Sequence, residues 1–201
     1  MQPPVAPTLD DLAAALPVAI RWPVDRVRVT PHGAHLYDRS TWKPGRGVHL
    51  GVDLYGTRGT PVYAPEDGEV VAVWLDDKTR PWRGYGPAGV CIRGDSGVFH
   101  VLAHLIASAA RAPATLASGD RVHMGEVVGY ISGYHHVHWE PRRALTWARG
   151  ETHRDIALDP FAVATIPADA PPAQLERASK PRSSSVALAL LAVVALAWWA
   201  R

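Results

Sequence analysis

The chain has 201 residues, which is enough for one compact domain with short extensions. Its formal net charge is +2 and its basic residues are scattered, so no nucleic-acid partner is expected. A mildly basic protein is still attracted to an anionic cell wall or membrane surface. Eighteen prolines and 17 glycines indicate short elements joined by turns, which favours β-rich structure over a helical bundle.

The first 29 residues are predicted to form an N-terminal extension. Residues 9–16 fit a short helix that is capped by Thr8 and ended by Pro17. This segment differs from a signal peptide, because it lacks a basic start, carries early aspartates and has an interrupted apolar stretch. We therefore expect no export through an ordinary signal peptide.

Residues 30–165 are predicted to form one mainly β domain. Short apolar or alternating runs, separated by turn residues, predict strands at 27–30, 48–54, 61–64, 69–74, 90–93, 98–102, 127–131 and 137–139. Turns about every ten residues between such strands are typical of an antiparallel sheet or sandwich. The single cysteine, Cys91, lies among apolar neighbours in one of these strands. It is therefore predicted to be a core residue, and an internal disulfide is excluded.

Histidines and one aspartate occur at spacings that strands can bring to one point. His49 and Asp53 are four residues apart, so an extended chain places both side chains on the same side. His136 and His138 share one strand face by the same alternation. His104 directly follows another predicted strand.

Two histidines and an aspartate are typical of a catalytic zinc site, because three protein ligands leave the fourth tetrahedral position open for water. Bound zinc lowers the pKa of that water toward ~7 and polarises a substrate carbonyl. Two further histidines can move protons or stabilise an oxyanion. Either motif alone also occurs by chance, since the chain has ten histidines and a His–Asp pair can be a simple buried hydrogen bond. Both motifs together, on predicted strands, favour a metal site.

The remaining histidines are interpreted differently. Most of them are predicted to be surface or structural residues: His32, His35, His100, His123 and His153. His135 adjoins the pair at 136 and 138, but alternation along the strand places it on the opposite face. It is therefore excluded from the predicted site.

Six segments match, in order, the motifs of a known family. They are His49-Leu50-Gly51-Val52-Asp53, the turn-rich run 59–70, and the segments 102–105, 119–122, 125–129 and 136–140. These segments resemble the lysostaphin-type (LytM-like) zinc endopeptidases. The resemblance covers about residues 30–161 and closes with Leu158-Asp159-Pro160.

The resemblance implies a curved antiparallel β-sheet core with a narrow groove that holds one zinc ion. It assigns metal binding to His49, Asp53 and His138, and catalysis to His104 and His136. Members of the family cut peptide bonds in peptidoglycan stems or cross-bridges. Peptidoglycan peptides are therefore the implied substrate.

The loop before His136 departs from the family pattern. Only residues 130–135 separate Gly129 from His136, whereas family sequences usually carry a longer loop rich in glycine, serine and threonine. Because that loop borders the substrate groove in the family, its shortening bears on bond specificity rather than on the metal site. An aromatic-rich segment at 80–86 can line a groove or be a plain surface loop.

Two other functions are compatible with parts of the sequence. A non-catalytic wall-binding or hydrolase-activating module can share the fold, but such relatives have lost metal ligands, and all the site residues are present here. The run 63–70 also resembles a hairpin of lipoyl- and biotin-carrier domains, which need a lysine at the tip of a second hairpin. The lysines lie outside any such turn, at Lys43, Lys78 and Lys180, so this interpretation is disfavoured.

The C-terminal part is predicted to be a linker followed by a membrane anchor. Residues 166–184 are rich in proline, alanine, serine and charge, and residues 185–200 are the predicted transmembrane segment. Its apolar run, 186–200, spans only ~22 Å as a helix against a hydrocarbon core of about 30 Å, so bilayer thinning or snorkelling arginines must compensate. The basic residues before it predict a cytoplasmic domain, which fits a phage lysin or virion-borne enzyme better than a secreted hydrolase.

Overall fold

Antiparallel strands form the framework of the part of the chain that the structure describes. The computed structural model describes residues 19–30, 33–35, 48–76, 78, 85–108, 112–145 and 156–166. The predicted helix at 9–16 and the predicted anchor at 185–200 lie outside these residues. Within the described ranges, no helix has the length and apolar character needed to cross a membrane.

The strands form one large and one small antiparallel sheet. In chain order the elements are β1 (Val52–Tyr55), β2 (Pro61–Tyr63), β3 (Gly68–Trp74), β4 (Gly89–Gly94), β5 (Phe99–Ala103), β6 (Arg121–Val122), β7 (Val127–Tyr130), β8 (His136–Arg142) and the short helix α1 (Pro160–Val163). The large sheet has the order β1-β8-β5-β4-β3-β6, and β2 pairs with β7. The prediction of a mainly β fold with an antiparallel sheet core is confirmed.

The strands differ from the predictions in four details. The predicted strand at 48–54 is shorter at its start, because β1 begins at Val52 and His49 precedes it. The predicted strand at 27–30 is reduced to a single bridge from Val29 to Leu54. β8 is longer than expected and continues through Pro141, which pairs with β5 beyond the end of β1. β6 carried no sequence signal, because two residues are too few to display an alternation.

The register between β1 and β8 separates an apolar face from a polar one. Asp53 lies opposite His138, and Tyr55 lies opposite His136. The alternate residue Leu54 points to the other face, where its side chain is fully buried in the main hydrophobic core. Because side chains alternate along a strand, a slip of one residue would move the polar set into the core.

The main core lies on the face of the large sheet opposite the polar set. It includes Val62 of β2 and Val128 of β7, so side chains of the small sheet pack against those of the large one. Ile20 and Trp22, from the segment before β1, belong to the same core. The Trp22 ring meets Trp139 edge to face at 5.3 Å. Such aromatic pairs stabilise a core beyond the area that they bury.

A smaller apolar cluster lies beside the polar set. Its buried members are Trp74, Cys91, Val101 and Ala103. Burial raises the pKa of the Cys91 thiol to about 12. The thiol is thus protonated at neutral pH, and Cys91 is a core residue as predicted.

A buried polar cluster connects the turn before β3 with the core. The side chains of Glu66 and His100 are both fully buried, and His100 Nε2 donates to Glu66 Oε1 at 2.6 Å. Trp139 Nε1 donates to His100 Nδ1 at 3.3 Å, which fixes the proton of the imidazole on Nε2. The Ser96 backbone N and hydroxyl also donate to the Glu66 carboxylate, at 3.0 and 2.7 Å.

Substitution of His100 by alanine should destabilise the fold strongly. It removes a donor to the buried Glu66 carboxylate and the acceptor of the Trp139 indole, so we expect the free energy of unfolding to fall by about 3–5 kcal/mol. Urea denaturation followed by circular dichroism measures this change. His123→Ala is the matched control, since the His123 side chain is 76% exposed, and its effect should stay below about 0.5 kcal/mol. Equal unfolding free energies for the two variants would contradict the prediction.

Candidate metal centre

Three side chains from two strands and a preceding turn converge on one point. His49 Nε2, Asp53 Oδ1 and His138 Nδ1 are separated by 3.1 Å (His49 to Asp53), 2.9 Å (His138 to Asp53) and 2.9 Å (His49 to His138). All three residues are buried. Within the described ranges, they form the one group of histidine, cysteine, aspartate or glutamate residues close enough to hold a metal ion.

Hydrogen bonds on the far side of each imidazole orient its ligand nitrogen. His49 Nδ1 lies 3.1 Å from the Ala34 carbonyl and donates to it, which leaves the Nε2 lone pair facing Asp53. His138 Nε2 lies 3.3 Å from Glu140 Oε2 and donates to that carboxylate, which leaves Nδ1 facing Asp53. Metal-binding histidines commonly have such partners, because the partner fixes both the tautomer and the ring orientation.

The electrostatics of the three residues favour positive charge at the point where they meet. Burial alone raises the pKa of Asp53, but the imidazoles of His138 and His49, which lie 2.9 and 3.1 Å from its Oδ1, lower it well below its usual range. Burial alone lowers the pKa of His138, but its hydrogen bonds to Asp53 and Glu140 raise it to about 9. A divalent cation bound here would supply positive charge beside the Asp53 carboxylate.

A glycine allows the turn to approach β8 closely at this centre. A Cβ on Gly51 would lie 2.5 Å from the Trp139 carbonyl oxygen and 2.8 Å from His138 Cε1. Any other residue at position 51 would therefore push His49 and His138 apart. The donor set of two imidazole nitrogens and one carboxylate oxygen, held this closely, fits a metal ion of the zinc type.

Two more histidines lie next to the three converging residues. The His104 ring centroid is 4.8 Å from that of His136 and 6.0 Å from that of His138. His136 Nε2 lies 3.7 Å from Asp53 Oδ2. All five residues predicted for the site therefore lie together on one face of the large sheet.

His104 is held in an uncommon backbone conformation at the end of β5. Its φ is +64°, in the left-handed region that residues other than glycine seldom adopt. The Tyr134 ring stacks on the imidazole at a centroid distance of 4.7 Å and an interplanar angle of 14°. Gly86 packs close to the same ring, since a Cβ there would lie 2.3 Å from His104 Nδ1. Contacts with the ring and the strained backbone together fix its direction.

The environment of His136 sets both its charge and the direction of its acceptor nitrogen. Burial lowers its pKa, and the Asp53 charge and the Tyr134 carbonyl offset only part of that effect. Its Nδ1 donates to the Tyr134 carbonyl at 2.9 Å, which leaves the Nε2 lone pair on the side of Asp53. His136 is therefore a neutral imidazole with its acceptor nitrogen directed at the centre.

A buried network beneath His138 includes functional residues that the sequence analysis missed. Glu140 Oε1 accepts from Arg142 Nε at 2.8 Å, and Glu140 Oε2 accepts from the Tyr85 hydroxyl at 2.7 Å. Arg142 Nη2 also donates to the Tyr85 hydroxyl, at 2.7 Å. The alternation in β8 could have indicated Glu140 and Arg142, because positions 136, 138, 140 and 142 share one face of the strand.

Two other sequence interpretations have structural counterparts. His135 is exposed and has a φ of +59°, so it lies in the turn before β8 rather than on the opposite face of the strand. Of the aromatic segment at 80–86, only Tyr85 and Gly86 are described. Tyr85 contacts Glu140, and Gly86 packs against His104.

Substitution of Glu140 by glutamine should weaken metal binding without unfolding the protein. Glutamine keeps the size of the side chain but removes the negative charge that orients His138 and pairs with Arg142. Loss of such a partner typically lowers metal affinity by about 10–100-fold. Competition between the protein and a chromophoric chelator for zinc measures the affinity. Glu69→Gln, a partly exposed glutamate on β3, is the control, and equal affinities in both variants would count against the orienting role.

Three solved structures illustrate the fold that this chain shares with known proteins. CbpA from L. salivarius REN is 17% identical with a TM-score of 0.54, and the match covers 73% of this chain and 94% of that one. The antimicrobial peptidase lysostaphin from Staphylococcus simulans is 19% identical with a TM-score of 0.51, covering 84% and 58%. Csd3 from Helicobacter pylori is 19% identical with a TM-score of 0.51, covering 80% and 39%. The chain thus spans less than two thirds of lysostaphin and of Csd3, and the likeness shows a shared fold.

Sequence comparison adds the family. No curated protein matches the chain. The family model described as peptidase family M23 matches residues 47–153, which is more than half of the chain and contains every residue predicted for the site. The resemblance to the lysostaphin-type endopeptidases is confirmed, and the chain belongs to peptidase family M23.

Proposed function

We propose that the chain is a zinc-dependent endopeptidase that hydrolyses peptide bonds in peptidoglycan stems or cross-bridges. The observation that carries the proposal is the convergence of His49, Asp53 and His138, whose ligand atoms lie 2.9–3.1 Å apart. Two further histidines border the same point. Membership of peptidase family M23 supports peptide hydrolysis.

Zinc suits these residues best among the common divalent ions. Imidazole nitrogen and carboxylate oxygen are its usual ligands in catalytic sites, where three protein ligands leave one position for water or substrate. When bound, zinc would lower the pKa of that water toward ~7 and polarise the substrate carbonyl. His49, Asp53 and His138 would hold it.

His136 and His104 are proposed to handle protons at the reacting centre. The Nε2 lone pair of His136 can accept a proton there, because burial keeps this imidazole neutral and its Nδ1 already donates to the Tyr134 carbonyl. His104 approaches from the end of β5, on the opposite side of His136 from Tyr55. From there it can hydrogen-bond an oxyanion or pass a proton to the leaving amine.

A non-catalytic module on the same fold is the alternative class of function. A module that only binds the wall or activates another hydrolase needs neither converging ligand atoms nor an oriented proton acceptor. Here His49 and His138 each have a hydrogen bond that fixes the ligand nitrogen. The endopeptidase is therefore favoured.

The place of action is proposed from the substrate. Peptidoglycan lies in the cell wall, so the domain is proposed to act there, and a phage lysin or virion-borne enzyme remains the predicted setting. The anchor at 185–200 and the membrane contact that it implies stay predictions from the sequence. No nucleic-acid partner is proposed.

The proposed activity is tested by incubating the zinc-loaded full chain with defined peptidoglycan fragments and identifying the products by mass spectrometry. Fragments with intact stems and with cross-bridges distinguish the two bond classes. Release of peptide fragments, abolished by a chelator and restored by zinc, is the expected result. Intact fragments together with retention on insoluble walls would favour the binding module instead.

Substitution of His138 by alanine should abolish stable zinc binding. It removes one of three protein ligands, and the two that remain are too few to hold the ion in a catalytic geometry. Elemental analysis of purified protein measures the zinc content, and about one ion per chain is expected in the unsubstituted protein. His123→Ala, on the exposed surface, should keep that ion. Full zinc occupancy in His138→Ala would refute the ligand assignment.

Substitution of His104 or His136 by alanine should keep the zinc and remove most of the activity. Neither residue is needed to hold the ion, and loss of a positioned proton-transfer or oxyanion-binding group typically lowers turnover about 10²–10⁴-fold. Peptidoglycan turnover and zinc content, measured on the same preparations, separate the two effects. Unchanged turnover by a folded His104→Ala variant would remove His104 from the mechanism.

A further inference from the structure

A segment before β1 extends the site face of the large sheet. The backbone N of Tyr55 donates to the Arg28 carbonyl at 2.7 Å, and that of Thr30 donates to the Asp53 carbonyl at 2.9 Å. Residues 28–30 thus run along the edge of β1 that β8 does not occupy. On its other side, Tyr55 lies opposite His136 of β8. One row across three neighbouring segments of the sheet therefore contains Arg28, Tyr55 and His136.

The side chains of this row lie on the same face as the metal centre. Tyr55 is two residues from Asp53 on β1, so alternation places both side chains on one face. The Arg28 guanidinium lies over the Tyr55 ring, 5.1 Å from its centroid. Tyr55 is 43% exposed, so the stacked pair lies at the surface beside His136.

A cavity of about 560 Å³ opens beside this pair. Its wall includes Arg26, Arg28, Tyr55, Thr57 and Thr60. Its volume is within the range of small-ligand sites, which are mostly apolar with a few placed polar groups. Tyr55, which lies opposite His136, is therefore shared by the cavity wall and the row of side chains beside the candidate centre.

The charge of the cavity favours an anionic group. Its wall also contains Asp25, but the two oxygens of that carboxylate are bound by Arg21 at 3.1 Å and by the Tyr63 hydroxyl at 3.0 Å. Arg26 and Arg28 are exposed, and neither forms an ion pair with a described carboxylate. A guanidinium that stacks on an aromatic ring keeps its donors available for the two oxygens of a carboxylate.

We propose that Arg28, with Arg26 and Tyr55, forms a subsite for a free carboxylate of the substrate peptide. The proposal rests on the proposed endopeptidase function and names the chemistry that this site selects, an acidic peptide. Adjacent strands of a sheet lie about 4.8 Å apart, so the backbones of Arg28 and His136, two strands apart, are separated by roughly 10 Å. At about 3.3 Å per extended residue, the carboxylate belongs about two or three residues from the bond that is cut.

This subsite is a feature of this chain rather than of the family match. Arg26 and Arg28 precede residues 47–153, the part that the family model covers. The segment that carries them is nevertheless tied to the domain, because Trp22 and Val24 are buried in the main core. The backbone at Arg28 is therefore held at a fixed position relative to His136.

The test compares binding and cleavage of two peptides by the zinc-loaded full chain. The probes are a soluble peptidoglycan stem peptide with free carboxylates and the same peptide with its carboxylates amidated. Calorimetry measures the affinities, and product release measures kcat and KM. We expect the unsubstituted protein to bind the acidic peptide about tenfold more tightly, and Arg28→Gln to lose that preference through a higher KM with little change in kcat.

The control is Arg93→Gln, which removes an exposed arginine on β4 and should keep the preference. Equal affinity of the unsubstituted protein for both peptides, or a preference that survives in Arg28→Gln, would overturn the subsite. Cleavage reports separately on the proposed function. A carboxylate preference that depends on Arg28, without cleavage of either peptide, would support the subsite and overturn the endopeptidase.

Discussion

The pairing of β1 with β8 sets Asp53 opposite His138, and most of the candidate site depends on that register. Asp53 and His138 are cross-strand neighbours, so the backbone hydrogen bonds of the sheet hold these two residues of the candidate centre at a fixed distance. The same pairing fixes Tyr55 beside His136. The pairing of β8 with β5 sets Ala103 opposite His138, which places the next residue, His104, at the site. The residues between them, such as Leu54 and Trp139, are fully buried on the core face. Hydrophobic burial on one face therefore stabilises the geometry of the polar groups on the other.

The buried ionisable groups that extend from Asp53 on β1 along β8 alternate between acidic and basic side chains. The Asp53 carboxylate faces His138, His138 donates to Glu140, and Glu140 accepts from Arg142. Each group has a partner of opposite charge or a hydrogen bond, as buried ionisable groups require. The Tyr85 hydroxyl joins the far end of the network and fixes the orientation of Glu140. The direction in which His138 presents its ligand nitrogen thus depends on residues up to four positions away along the strand.

Local patterns in the sequence predicted the antiparallel fold, and together with the family resemblance they predicted the five residues that meet at the site. Alternation in the segment around His136 and His138 places both on one face, whereas His49 reaches Asp53 from the turn before β1, where Gly51 packs against β8. The same alternation reaches Glu140 and Arg142, but Pro141 obscured it, since proline usually ends a strand. The contacts of Tyr85 with Glu140 and of Tyr134 with His104 join segments that are far apart in sequence. The left-handed conformation of His104 has no local signal either, because tertiary contacts stabilise it.

The segment at residues 28–30 covers the outer edge of β1, which has a further consequence for solubility. An uncovered strand edge presents unpaired N–H and C=O groups that can pair with another chain, and natural sheets cover or shorten their edges for this reason. At the opposite edge of the large sheet, β6 has only two residues, so little backbone is open to pairing there. A fragment limited to residues 47–153 would keep His49, Asp53 and His138 but lose the cover over β1 and the Ala34 carbonyl that orients His49. Its outermost strand, β1, would then be open to self-association, and that strand carries Asp53 of the candidate centre.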